Sequence, residues 1–212
     1  MLKDLIIVGA SGFGREVAWL VERINAEKPT WKLLGFLDDN SKICGQTVDG
    51  YAVLGDSICA QNYSDAYYVC AIGSSQIRKS VIEKLGNVKY ATLIDPSVLI
   101  SNKVTIGDGT IICAGTIITV DVTIGNHVII NLDCTVGHDA VLNHFVTLYP
   151  SVNVSGMTNI GECVELGTGA QIIQGEAVHA GSIVGAGAVV VKDIPERCTA
   201  VGSPARAIKF FD

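Results

Sequence analysis

The side chains best suited to acid–base chemistry are His138 and Asp139, which are adjacent in the sequence and follow Gly137. A carboxylate beside an imidazole fixes its tautomer and raises its basicity, which is what a general base needs near neutral pH. The chain contains only 4 histidines, so few other residues are candidates. We therefore predict that His138 is a catalytic base; an exposed His-Asp pair without a catalytic role is the alternative.

A second feature with chemical potential is the segment GASGFG at residues 9–14, which lies between an apolar run and a helical pattern. The backbone N–H groups of such a turn, together with the helix dipole, favour a bound phosphate. The spacing G-x-x-G-x-G differs from the dinucleotide pattern G-x-G-x-x-G, which argues against a nicotinamide cofactor. Asp38 and Asp39 end the next apolar run, where a carboxylate can accept hydrogen bonds from a ribose or a base. A purely structural turn with an exposed acidic pair is the alternative.

The composition limits the classes of partner. The chain has 212 residues and a net charge of −6, which suits one or two domains and argues against nucleic acid as the main partner. No apolar run approaches the ~20 residues of a membrane span, and no signal-peptide pattern is present. We therefore expect a cytoplasmic protein. The 7 cysteines include no C-x-x-C pair, so we expect small buried side chains rather than disulfides or a metal site.

The carboxyl half carries a six-residue repeat that predicts its architecture. Every sixth residue is a branched aliphatic over 17 successive positions. These positions are Ile94, Ile100, Ile106, Ile112, Ile118, Ile124, Ile130, Val136, Leu142, Leu148, Val154, Ile160, Leu166, Ile172, Val178, Val184 and Val190. Six is not a multiple of the helical period, and the pattern instead indicates a parallel β-helix with three repeats in each coil. Residues 18 apart then stack at the ~4.8 Å strand spacing, in roughly five coils.

The amino half has a different pattern, typical of a small α/β domain. Apolar runs alternate with two helical stretches, which is the βαβ pattern of a parallel sheet. The first stretch has an apolar face formed by Val17, Leu20, Val21 and Ile24. The second has one formed by Ile77, Val81, Ile82 and Leu85. We predict a βαβ domain that binds a nucleotide-sugar over residues 1–90, because about 90 residues hold only half of a dinucleotide fold, and a β-helix domain over residues 91–212.

The phase of the repeat predicts where each histidine points. All four lie at corners of the coils, and we expect His127, His144 and His179 to be solvated. Gly156 follows His138 by 18 residues and stacks one coil above it, so its N–H is a candidate to stabilise an oxyanion.

Together these motifs resemble the bacterial nucleotide-sugar acetyltransferases of the sialic acid O-acetyltransferase and UDP-4-amino-sugar N-acetyltransferase type. The resemblance rests on GASGFG, the paired aspartates, AIGSSQIR, the six-residue repeats, GHD, GAGAVVVKD and VGSPAR. It implies a Rossmann-like domain followed by a left-handed β-helix, assembled as a homotrimer with active sites between neighbouring columns. It also implies acetyl-CoA as co-substrate, no metal, and a role in polysaccharide biosynthesis.

The resemblance assigns roles to particular residues. The catalytic group it implies is His138, Asp139, Asn131 and Gly156. Acetyl-CoA would lie against Gly156, Thr147, Thr168, Ala186 and Pro204. The nucleotide-sugar would bind Ser11, Gly12 and Phe13, with Asp38 and Asp39 near the base or ribose. The sequence departs from the family at Thr147 and Phe13, where histidine occurs in relatives, and at Ser74 and Ser75, where the family has Asp-Asn.

These observations favour transfer of acetyl from acetyl-CoA to the amino group of a nucleotide-linked sugar. Transfer to a sugar hydroxyl, as on sialic acid, is the closest alternative, because a histidine base serves either acceptor. Two further alternatives are a hydratase with zinc held by His127, His138 and His144, and a non-enzymatic nucleotide binder.

Overall fold

A computed structural model describes residues 1–211, which form a small α/β domain followed by a β column. The elements of the first domain are β1 Lys3–Val8, α1 Gly12–Glu27, β2 Trp31–Leu37, β3 Thr47–Val48, β4 Tyr51–Gly55, a 3-10 helix Ser57–Tyr63, β5 Tyr67–Cys70, α2 Ser75–Leu85 and β6 Lys89–Tyr90. Its sheet has the order β3-β4-β2-β1-β5-β6 and is parallel except for the β3–β4 hairpin. The predicted βαβ arrangement is confirmed.

The strand order places the two helix starts at one edge of this sheet. β1 lies between β2 and β5, so the chain crosses to opposite sides after β1 and after β2, and a crevice forms at the carboxyl ends of the strands. α1 follows β1 and α2 follows β5, and both begin at this edge.

The apolar faces of the two helices were predicted with unequal success. In α1, Val17, Leu20 and Val21 are buried as expected. In α2 the expected face is wrong at Ile77, which is 57% exposed, while Arg78 is 1% exposed. The helix is rotated so that Arg78 faces the column, where it finds hydrogen-bond acceptors.

The column is built from two-residue strands that recur every six residues. They are β7 Leu93–Ile94, β8 Leu99–Ile100, β9 Thr105–Ile106, β10 Ile111–Ile112, β11 Ile117–Ile118, β12 Thr123–Ile124, β13 Ile129–Ile130, β14 Thr135–Val136, β15 Val141–Leu142, β16 Thr147–Leu148, β17 Asn153–Val154, β18 Asn159–Ile160, β19 Glu165–Leu166, β20 Gln171–Ile172, β21 Ala177–Val178, β22 Ile183–Val184 and β23 Val189–Val190. The second residue of each strand points inward, and the central positions are buried. The parallel β-helix is therefore confirmed.

Three parallel sheets form the sides of the column. Sheet 1 contains β7, β10, β13, β16, β19 and β22; sheet 2 contains β8, β11, β14, β17, β20 and β23; sheet 3 contains β9, β12, β15, β18 and β21. Sheet 1 is extended by β24 Cys198–Val201 and the antiparallel β25 Arg206–Phe210. We name the corners by the sheets that they join: the 1–2, 2–3 and 3–1 corners. In a three-sided column the 2–3 corner lies opposite sheet 1.

The first domain packs on sheet 1 and contacts the 1–2 and 3–1 corners on either side of that sheet. The outward residues Leu93, Ile111 and Ile129 are at most 1% exposed, because the domain covers them. At the 1–2 corner, Arg23 donates two hydrogen bonds to the carboxylate of Asp95, at 2.6 and 3.0 Å. The opposite corner of the column, 2–3, is left uncovered by this domain.

The cysteines and the helices were also compared with the expectations from the sequence. Five of the cysteines are buried, but Cys44 is exposed, so the expectation of buried thiols is wrong there. Within residues 1–211, no helix has the length and apolar character to span a bilayer.

Candidate active site

The glycine turn after β1 presents an open helix N-terminus. Gly9 has a φ of 101°, and a side chain on Gly14 would collide with the carbonyl oxygen of Gly9, so glycine is needed at both positions. Ser11 and Gly12 are exposed, and Phe13 is half-buried against the core. The side chain of Ser11 makes no capping hydrogen bond to α1. The turn therefore leaves N–H groups at the start of α1 facing solvent, as a phosphate site requires.

The two predicted aspartates face different ways. Asp38 accepts hydrogen bonds from the N–H groups of Ala10 and Asn40, each at 2.8 Å, so it joins the end of β2 to the glycine turn. Asp39 turns to the other side and accepts a hydrogen bond from the N–H of Ser57 at 2.8 Å. That hydrogen bond, followed by the charge of Lys84, holds the pKa of Asp39 below its ordinary value. Asp38 is the member of the pair beside the glycine turn.

The His-Asp pair stands on the 2–3 corner. Nδ1 of His138 lies 2.8 Å from Oδ2 of Asp139, and both side chains are about half exposed, at 48% and 57%. Asp139 has a φ of 59°, a left-handed conformation that aspartate tolerates better than most residues. Because Nδ1 faces a carboxylate, the neutral ring carries its proton there and leaves Nε2 with a free lone pair.

Gly156 forms the floor beneath the imidazole. A side chain there would place Cβ 2.6 Å from Nε2 of His138, so the ring needs glycine in the next coil. The N–H of Gly156 has no acceptor among residues 1–211. The arrangement joins a base, an orienting carboxylate and a free N–H donor at one exposed corner.

The remaining catalytic and cofactor candidates lie on another corner. Asn131 follows β13 on the 1–2 corner, is buried, and accepts a hydrogen bond from the N–H of Leu132 at 2.8 Å. Thr168, Ala186 and Pro204 are exposed and follow one another by 18 residues on this side. Within one chain, sheet 2 separates this group from His138.

Thr147 does not line an open groove. It is 1% exposed; its hydroxyl donates to the carbonyl of Gly73 at 2.8 Å and accepts from Arg78 at 2.9 Å. Thr147 points outward from sheet 1, and the first domain covers it. It therefore has no free surface in this chain for acetyl-CoA.

The expectation that His127 is solvated is wrong. It is 7% exposed, stacked on Phe145 with ring centroids 5.2 Å apart and edge-on to Tyr90 at 4.5 Å. Burial, followed by the charge of Arg78, lowers its pKa to about 4. The 3–1 corner is solvated only where the first domain leaves it uncovered, as at His144 and His179, which are exposed.

Arg78 is an important buried residue that the predicted apolar face of α2 did not include. Its guanidinium donates to the carbonyls of Ile72, His127 and Phe145 at 2.6, 2.9 and 2.8 Å. Burial lowers its pKa to about 10, so it remains a cation at neutral pH. The spacing of Arg78 to the buried Val81 and Leu85 is the signal that identifies its side of the helix.

No metal site was found within the described part of the chain: no three His, Cys, Asp or Glu side chains are grouped to hold an ion. His127 lies buried and His138 stands on a different corner, so the histidines of the zinc alternative are not gathered.

Comparison with known proteins identifies relatives over the whole chain. Residues 4–85 match the family described as the PglD N-terminal domain. The acetyltransferase domain of PglB from Neisseria gonorrhoeae, solved with acetyl coenzyme A, is 31% identical with a TM-score of 0.88; the match covers 98% of this chain and 100% of that one. A variant of perosamine N-acetyltransferase from Caulobacter crescentus, solved with CoA and GDP-perosamine, is 29% identical with a TM-score of 0.88, over 98% and 97%.

A third solved structure, WeeI from Acinetobacter baumannii, is 31% identical with a TM-score of 0.84 over 97% of this chain and 100% of that one. A search of the curated proteins found no match. The full-length structural matches agree with the left-handed winding that the sequence resemblance implied. The chain therefore belongs to the hexapeptide-repeat family of acetyl-CoA-dependent nucleotide-sugar acetyltransferases.

Proposed function

We propose that the protein transfers acetyl from acetyl-CoA to the amino group of a nucleotide-linked amino sugar. The observation that carries the proposal is the imidazole of His138, held by Asp139 at 2.8 Å above Gly156. The relatives support the choice of acceptor, since perosamine N-acetyltransferase was solved with CoA and GDP-perosamine.

In this mechanism the amine nitrogen attacks the thioester carbonyl carbon while Nε2 of His138 takes the amine proton. Asp139 keeps the ring oriented and stabilises the imidazolium. The N–H of Gly156 donates to the oxyanion of the tetrahedral intermediate. The intermediate then collapses, the C–S bond breaks, and the imidazolium returns its proton to the sulfur of CoA. The products are an amide and free CoA thiol.

The nucleotide would bind at the start of α1. Its phosphates would accept hydrogen bonds from the N–H groups near Ser11 and Gly12, where the helix dipole adds partial positive charge. Asp38 holds the turn through Ala10 and stands where a ribose hydroxyl would lie. Phe13 would pack against the sugar or base.

We further propose that the active site is completed by a second copy of the chain. The glycine turn belongs to the domain that covers sheet 1, whereas His138 lies on the corner opposite that sheet. Sheet 2 carries exposed apolar side chains, including Leu99 at 64% and Ile117 at 42%. Thr105 and Thr123 hold the matching outward positions on sheet 3 and are polar.

A homotrimer accounts both for the separation of His138 from the glycine turn and for the exposed apolar side chains of sheet 2. Identical copies that join the 2–3 corner of one to the 1–2 corner of the next make a head-to-tail contact, which closes into a ring. Sheet 2 then faces the neighbours. His138 of one copy would meet Asn131 of the next, and acetyl-CoA would lie between them along Thr168, Ala186 and Pro204.

A thiol-release assay tests the function. The purified chain is mixed with acetyl-CoA and a panel of UDP-, GDP-, dTDP- and CMP-linked sugars, with and without a free amine. We expect CoA release only with a nucleotide-linked amino sugar, and a product acetyl group that resists hydroxylamine, as an amide does. A hydroxylamine-sensitive product would indicate an ester and favour the alternative acceptor, a sugar hydroxyl. Binding without release of thiol would contradict an enzymatic role.

A further inference from the structure

The two helices that start at the carboxyl edge of the first domain are not equivalent. At the start of α1, Gly12 is exposed, and no atom lies within 4 Å of the position that its Cβ would occupy. At the start of α2, Ser75 is 1% exposed. Both helix starts carry N–H groups that have no partner inside the helix, and both are the positive end of a helix dipole, yet only the start of α1 is open to a ligand.

A carboxylate from the column occupies the N-terminus of α2. Oε1 of Glu165 accepts hydrogen bonds from the N–H of Ser75 at 2.8 Å and from its hydroxyl at 2.9 Å. Oε2 accepts a hydrogen bond from the hydroxyl of Tyr149 at 3.1 Å. Glu165 is therefore bound where an anionic ligand of a helix N-terminus would sit.

A cavity of about 550 Å³ adjoins this carboxylate, between α2 and the 3–1 corner, and it is lined in part by Ser75, Lys79, Glu165 and Arg197. A helix N-terminus, a lysine and an arginine would attract an anion if they stood alone. Glu162 pairs with Lys79 at 2.7 Å. The pairing leaves Glu165 as the carboxylate that shields the helix N-terminus itself.

We propose that Glu165 determines where the substrate binds, by excluding phosphate from the N-terminus of α2 and from the adjoining cavity. The diphosphate of the nucleotide-sugar is thereby confined to the open turn of α1. The inference rests on the proposed function for its ligand. It assigns Glu165 a role in positioning the substrate rather than in the chemical step.

The direct test is calorimetric titration of the full chain with inorganic pyrophosphate. The variant Glu165→Thr suits the test because Thr147 holds the paired position one coil earlier in sheet 1, and a threonine side chain is too short to replace the carboxylate at Ser75. We expect Glu165→Thr to gain a second site or to bind pyrophosphate about tenfold more tightly than the wild type, since a helix N-terminus is freed and a negative charge is removed. An isotherm equal to that of the wild type would overturn the proposal.

Two further variants keep the result interpretable. Glu162→Thr removes a carboxylate from the same cavity but away from the helix end, and we expect a smaller gain; an equal gain would refute the specific role of Glu165. Glu165→Gln keeps an oxygen for the N–H of Ser75 and should show an intermediate gain. If Glu165→Thr does not fold, an unchanged isotherm for Glu165→Gln counts against the proposal.

The kinetic test separates this inference from the function on which it rests. With Glu165→Thr we expect kcat and KM for the nucleotide-sugar to fall by about the same factor, with kcat/KM unchanged, because a nucleotide-sugar held by its diphosphate at the second site forms a nonproductive complex that excludes the productive one. A fall in kcat alone would contradict a positioning role. If the wild type shows no turnover at all, the proposed function fails, but the pyrophosphate isotherms still decide the role of Glu165.

Discussion

Sheets 1 and 2 of the column are built from the same six-residue repeat, but their outward side chains differ in solvent exposure. In the first two coils the outward residues of sheet 1, Leu93 and Ile111, are fully buried, whereas those of sheet 2, Leu99 and Ile117, are 64% and 42% exposed. All four are aliphatic, and each residue of sheet 1 precedes its counterpart on sheet 2 by six residues. The difference is that the chain's own first domain covers these residues of sheet 1, whereas no residue within 1–211 covers the apolar part of sheet 2.

The inward residues of the column therefore indicate its fold, whereas the outward residues indicate which surfaces make contacts. Inward aliphatics fix the coil, because each must pack in the core of the column. Outward aliphatics have no such role, and an exposed group of them marks a contact surface. Sheet 1 meets a domain of the same chain, and we propose that sheet 2 meets a second copy.

The largest loss of activity should follow from replacing His138, on the 2–3 corner. Replacing His138 with alanine removes the base, and we expect kcat to fall by about 10²–10⁴. His144→Ala is the matched control, because His144 is also an exposed corner histidine, and its turnover should stay near that of the wild type. Thiol release under saturating substrates measures both. Unchanged turnover in His138→Ala would remove this residue from the mechanism.

A charge on sheet 2 should separate the copies. Ile117→Asp would bury an unpaired carboxylate in the proposed contact, so we expect a shift from trimer to monomer and a loss of activity of about tenfold or more. Thr123→Asp places the same charge on the polar sheet 3 and should leave the mass unchanged. Light scattering coupled to size-exclusion chromatography reads the mass. If Ile117→Asp remains a trimer with full activity, sheet 2 is not the contact.

Burial of His127 under the first domain should make the stability of the protein decrease at acidic pH. His127 is buried with a pKa of about 4, against about 6.5 in an unfolded chain. Between these values the unfolded state binds the extra proton, so stability falls as the pH drops from about 6.5 to about 4, by about 3 kcal/mol. His127→Asn cannot take up this proton, and asparagine tolerates the φ of 55° at this position.

Urea unfolding of wild type and variant across that pH range measures the difference. We expect a flatter profile for His127→Asn, even if its stability at pH 7 is lower because the stacking on Phe145 is lost. His179→Asn, at an exposed position, is the control and should keep the wild-type slope. Parallel profiles for the wild type and His127→Asn would show that the buried ring does not couple folding to protons.

The sequence was sufficient wherever a residue's environment follows from local periodicity. The six-residue spacing identifies the inward residues of the column, and the corner phase puts His138 beside Asp139 and next to Gly156 of the adjacent coil. The glycine pattern of residues 9–14 likewise predicts an open turn before α1, since the backbone there demands glycine.

Three of the failures share one physical cause. The repeat phase predicts that His127 is solvated, and the resemblance implies that Thr147 contacts acetyl-CoA, but the first domain covers both residues. Arg78 was missed because burying a cation is unfavourable unless acceptors surround it, and its carbonyl acceptors come from distant parts of the chain. Contacts between the two domains are set by the packing of one folded surface on another, which no local pattern encodes.

We infer that each active site takes His138 from one copy and the glycine turn before α1 from another. This inference is tested by producing two inactive variants together: His138→Ala and Gly12→Glu, which places a carboxylate at the open start of α1. If sites form between copies, random mixing leaves about one quarter of them with both parts intact. We predict that the mixed protein recovers about that share of wild-type activity, although each variant alone is inactive. No recovery in a mixed trimer would mean that both parts belong to one chain, and would contradict the account.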